Sequence, residues 1–165
     1  MRAFEISDRK DFTAMLFLGT VFDDFQLTSA RFDTFAGFTI EGHRNSGYYD
    51  SDEDAEGFTK TEYILWKEAR PHAFQLIRGK KPPLRFQIVF RYPQDLPVIP
   101  AAMDLAAKAP GTALYLNIGY KNQQLTCTTG AASPGFIPGF RPDPVWDQAI
   151  EHFLKSHGLA FQVLS

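Results

Sequence analysis

The spacing of apolar residues changes several times along this chain, and each change predicts an element. Residues 2–6 read as a short strand. Phe12, Met15 and Leu16 then fall on one helical face, with Ser7 as the cap, Asp8 and Asp11 in the first turn and Gly19 as the stop, which predicts a helix over 8–18. Two β-rich stretches follow, 25–33 and 37–44; in the second, Phe38 and Ile40 alternate with Thr39 and Glu41 as in a half-buried strand. The polar, acidic tract "NSGYYDSDEDAEG" at 45–57 reads as a loop, and "TEYILWKEA" at 61–69 as a strand.

Pro71 suits the first position of a helix over 71–78 that Gly79 ends, and the prolines at 82 and 83 enforce a turn. "LRFQIVFRY" (84–92) alternates cleanly. Phe86, Ile88, Phe90 and Tyr92 form its core face, with Arg85, Gln87, Val89 and Arg91 opposite. A modest helix near 100–108 precedes a hairpin over 112–129, joined at Lys121, Asn122 and Gln123. The Pro/Gly-rich loop 132–144 leads into the clearest helix, 144–157. Asp143 is its expected cap, Pro144 its first residue, and Val145, Trp146, Ala149, Ile150, Phe153 and Leu154 its apolar stripe, which makes it amphipathic. "LAFQVL" is a last strand.

These elements predict an α+β fold: a mostly antiparallel sheet with three or four helices in one domain, 1–165. Their order contains a β-α-β-β unit over 2–44 and a second over 61–129. That duplicated pattern resembles a domain of the DNA sliding clamp, and the resemblance implies helices lining a ring with sheets outside. Two further strings, "YILWKEARPHAFQLIRGKKPPLRFQIVF" and "NIGYKNQQLTCTTG", resemble those of a family of short bacterial proteins, chiefly clostridial, that form a domain of unknown function. This second resemblance spans nearly the whole chain. It implies a bacterial cytoplasmic single domain and supplies no catalytic residues.

Composition refines the picture in three places. Sixteen Phe predict a core built from rings. No apolar run approaches the ~20 residues of a membrane span, so no membrane partner is expected. The net charge of −2 hides a segregation. Residues 1–62 carry 13 acids against 6 bases, whereas 67–91 carry seven bases (Lys67, Arg70, Arg78, Lys80, Lys81, Arg85, Arg91) against Glu68 alone. Either the basic third steers an anionic partner, or the acidic third lies beside it and neutralises it.

Most chemistry fails on spacing. Asp50, Asp52 and Asp54 match the start of a calcium loop, but Ala55 stands where Gly is needed and Thr61 where a bidentate Glu is needed. His152 and His157 are five apart on a helix and point away from each other; His43 and His72 have no partner motif. Cys127 alternates with Leu125 and Thr129 toward the core and has no activating neighbour; as the sole cysteine it forms no internal disulfide. "GAASPGF" lacks the spacing of a serine elbow. In "LIRGKKPP" the glycine ends a helix, whereas a phosphate cradle opens one, and Phe74 and Lys81 occupy the other diagnostic positions.

No catalytic residue, metal or cofactor is therefore assigned. The leading expectation is a non-enzymatic binding or interaction module that contacts nucleic acid or another polyanion through the segment 67–91, with Arg78, Lys80, Lys81, Arg85 and Arg91 as binding residues. The alternatives are an enzyme with a site near loop 132–144, and a structural protein that oligomerises through sheet edges.

Overall fold

The computed structural model describes residues 1–50, 61–93 and 98–164. It contains seven strands, β1 (Ala3–Ile6), β2 (Gln26–Asp33), β3 (Gly37–Glu41), β4 (Arg85–Tyr92), β5 (Ala113–Lys121), β6 (Gln124–Ala132) and β7 (Phe161–Val163). The α-helices among the described residues are α1 (Arg9–Phe17), α2 (Trp66–Ile77), α3 (Pro100–Lys108) and α4 (Pro142–Ser156). All seven strands join one antiparallel open sheet in the order β3-β2-β4-β5-β6-β1-β7. This is an α+β architecture.

Register explains why the helices share one side. Phe32 pairs with Phe86, Phe86 with Tyr120, and Phe90 with Leu116, so these side chains line a single face. Phe17 of α1 packs edge-on against Phe86 at 5.5 Å and Trp66 of α2 edge-on against Phe90 at 5.2 Å, while Trp146 of α4 lies tilted against Tyr92 at 5.5 Å. The core is thus a layer of rings between sheet and helices, each contact adding roughly 0.5–1.5 kcal/mol beyond its buried area.

Three elements depart from expectation. The strand predicted at 61–69 is the start of α2 from Trp66 onward, and only Tyr63 and Leu65 make isolated bridges. Trp66 is wholly buried and its indole N–H donates to the Leu16 carbonyl at 2.8 Å, so docking outweighs the β preference of "YILW". Pro71 consequently lies inside the helix rather than at its start. The second unit of the expected duplication lacks its first strand, and β1 stands far from β2 and β3 in the sheet.

The caps also shift. Asp8, not Ser7, caps α1 by accepting from the Asp11 backbone at 3.0 Å. α4 begins at Pro142 with Asp143 inside its first turn. Its buried side includes Asp147, which accepts a hydrogen bond from the Thr129 hydroxyl. Asp52 and Asp54 of the calcium-loop comparison lie outside the described residues.

Candidate functional site

Six of the seven bases of 67–91 divide into two groups. Arg70 grips Asp23 with two hydrogen bonds of 2.9 and 3.1 Å, Lys67 lies 3.8 Å from Asp24, and Arg85 donates to Asp33 at 2.7 Å. The acidic third therefore does lie beside part of the basic third. Arg78, Lys80 and Lys81 are different: they are exposed and make no ion pair among the described residues. Arg78 ends α2, donating its backbone N–H to Phe74, and Gly79 turns the chain at φ 140°.

Arg91 stands apart from this loop. It lies six residues along β4 from Arg85, roughly 20 Å by strand rise. It is half-buried, with its guanidinium 5.8 Å from the Tyr63 ring. Of the five residues chosen from sequence, four gather at one end of the sheet and the fifth is at the other.

That end collects further cations which lie outside the basic segment and were missed for that reason. Lys121 pairs directly across from Arg85, and Arg31 lies two residues before Asp33 on β2. Arg9 reaches the hairpin tip, donating to the Gln123 carbonyl. Strand register brings Arg31 and Lys121 there, and α1 brings Arg9. Asp33 accepts from Arg85 and from Arg31, the latter at 3.1 Å; Arg85 first and then Arg31 hold its carboxyl below the usual range, against the opposing effect of burial.

Two concavities open there. One is a groove of about 1020 Å³ between α1 and α2, floored by Phe17, Phe74, Ile77 and Phe86. Ile77 and Pro82, which flank the exposed residues 78–81, both line it. The other is a depression of about 330 Å³ on the open sheet face, among Arg31, Arg85, Gly119 and Lys121.

The remaining chemical candidates fall in other settings. Cys127 is fully buried, and burial pushes its thiol well above the ordinary value. His157 donates from Nδ1 to the Phe153 carbonyl at 2.8 Å and lies against the Phe153 ring. In loop 132–144, Ser133 shares a hydrogen bond of 2.9 Å with Thr112, and Phe136 is exposed. Among the described residues no group of three or more His, Cys, Asp or Glu could hold a metal ion, and no helix is long and apolar enough to cross a membrane.

A family model described as a family of unknown function (DUF5721) matches residues 15–162. No curated protein and no solved structure matches the chain.

Proposed function

Since the chain belongs to this family of unknown function, DUF5721, we propose its role from the surface itself: a non-enzymatic binding module that contacts nucleic acid or another polyanion at the basic end of its sheet. One observation carries the reading. Arg78, Lys80 and Lys81 are exposed and unpaired among the described residues, although aspartates neutralise Lys67, Arg70 and Arg85 of the same segment.

Charge left unpaired on a short loop costs no ion-pair rearrangement when a polyanion arrives. With Arg9, Arg31 and Lys121 at the same end, it gives a molecule of net charge −2 a locally positive pole. Such a pole attracts phosphate without reading sequence, and salt weakens the attraction.

The test is anisotropy of a labelled single-stranded oligonucleotide against salt concentration. Binding at low salt should weaken steeply as salt rises. Lys80→Glu with Lys81→Glu should reduce it at least tenfold and flatten the log–log salt slope by roughly 1.4, two phosphate contacts at about 0.7 each. Absence of low-salt binding, or an unchanged double variant, would overturn the proposal.

A further inference from the structure

Gly119 sits in the interior of β5, where glycine weakens a strand and often marks close approach of a ligand. Neither conformation nor packing requires it. Its φ is not in the left-handed region, and a Cβ built on it would meet nothing within 4 Å. It is nonetheless the floor of the 330 Å³ depression.

Register surrounds that floor with a lattice of donors. Across one row lie Arg31, Gln87, Gly119 and Thr126, and across the next lie Asp33, Arg85, Lys121 and Gln124, each from β2, β4, β5 and β6 in turn. Adjacent strands are about 4.8 Å apart, so Arg85 and Lys121 fall within reach of one small group above Gly119, while the Arg31 guanidinium turns toward β3 and donates to the Thr39 hydroxyl at 3.3 Å. Arg85 and Lys121 are direct cross-strand partners of like charge, an arrangement that disfavours the pairing.

Asp33 only partly offsets this, since it faces Arg85 through Nε and Arg31 through one amino group. It also holds both guanidinium groups in place. The terminal nitrogens of Arg85 and the Lys121 ammonium have no hydrogen-bond acceptor among the described residues. The next carboxylate on this face, Glu5, lies opposite Thr126 and receives Gln124 at 3.5 Å.

We infer that the depression over Gly119 is a binding site for a phosphate-type oxyanion, held by Arg85 and Lys121 with Gln87 and Thr126 as neutral donors and Arg31 adding positive charge at its edge. The inference rests on the polyanion reading and gives that surface one defined anchor. Three cations against one aspartate leave a local surplus of two positive charges, which suits a phosphate dianion. Gly119 keeps the floor open so that the oxyanion can lie against the strand backbone.

Inorganic phosphate titrated into the labelled chain and followed by amide NMR tests the site. Saturable shifts are expected at Gly119, Gln87 and Lys121. Gly119→Val introduces a strand-favouring side chain into open space, so its thermal midpoint should equal or exceed that of the parent while phosphate affinity falls at least tenfold. Arg85→Gln should weaken phosphate similarly. Lys80→Glu with Lys81→Glu should leave the phosphate shifts at Gly119 in place even where oligonucleotide binding is lost, which separates this site from the loop. Oligonucleotides with and without a 5′-phosphate identify the source: preference for the phosphorylated form supports a terminal phosphomonoester, and equal binding a backbone diester. Shifts confined to residues 78–81, or a Gly119→Val variant that binds phosphate like the parent, would overturn the inference.

Discussion

The Arg44 guanidinium meets the Glu68 carboxylate in parallel, with hydrogen bonds of 3.0 and 2.9 Å. Arg44 is buried, and its other donors reach the Thr61 carbonyl and hydroxyl and the Tyr49 hydroxyl. Glu68 also accepts from the Leu65 backbone, closing the first turn of α2. One ion pair therefore ties the chain after β3 to the start of a helix. Arg44→Ala should destabilise the fold by roughly 2–4 kcal/mol, because it strands several polar groups at once. Urea unfolding with an unchanged m-value checks this. Arg44→Lys should recover less than half, since an ammonium cannot reproduce the planar fork.

The same pair predicts an acid-limb effect. Burial raises the Glu68 carboxyl, but the Arg44 hydrogen bonds, the Leu65 N–H and the nearby charges of Arg44 and Lys67 outweigh it and hold the group below its ordinary value. A carboxyl lowered on folding contributes stability above its unfolded value, about 4.3, and loses it as pH falls through the folded one. Glu68→Gln should therefore be less stable at neutral pH and should flatten the stability profile below about pH 4.3. A profile parallel to the parent's through that window would contradict the assignment.

Gly42 is the position least able to accept a side chain. A Cβ there would lie 1.6 Å from the Leu27 carbonyl oxygen, beside the register shift between Leu27 and Ser29. The obstacle is backbone that also bonds Gly42 to Thr28 and Ile64. Gly42→Ala should cost about 3 kcal/mol or more, as overpacking against rigid backbone does. Chemical denaturation measures it directly.

Cys127 should resist thiol reagents in the native state. It is fully buried on β6, with burial disfavouring the reactive thiolate. Modification by a disulfide reagent should track global unfolding and proceed at an ordinary rate in denaturant. Rapid stoichiometric labelling of the folded chain would contradict the core placement.

The Asn122-Gln123 turn holds two non-glycine residues at φ 52° and 62°. A two-residue hairpin of this kind favours glycine at its second position. Gln123→Gly should raise stability by about 0.5 kcal/mol, the relief of left-handed strain exceeding the added chain entropy. A thermal melt decides the sign.

Alternation was legible wherever a strand had one buried face: Phe86, Ile88, Phe90 and Tyr92 are all buried as the pattern requires. The segment around Trp66 was not, because "YILW" has strand preference and the indole's bond to Leu16 depends on a helix fifty residues earlier. The basic surface was half legible. A run of cations stands out along a chain, so Arg78, Lys80 and Lys81 were visible. Arg31, Lys121 and Gly119 belong to it only through cross-strand pairing, which no local pattern encodes. Asp23, Asp24 and Asp33 likewise neutralise their bases across gaps of more than forty residues.

The position of β1 has a consequence for how the chain assembles. Phe4 pairs with Cys127 on one side and Val163 on the other, so the earliest strand in the chain waits for two of the latest. β2 through β6 pair with strands near them in sequence, whereas residues 3–6 pair only with strands more than a hundred residues away. Closing so long a loop is entropically costly and slow. Phe4 and Ile6 therefore gain their strand partners only when residues more than a hundred positions away are in place, which ties the integrity of β1 to both β6 and β7.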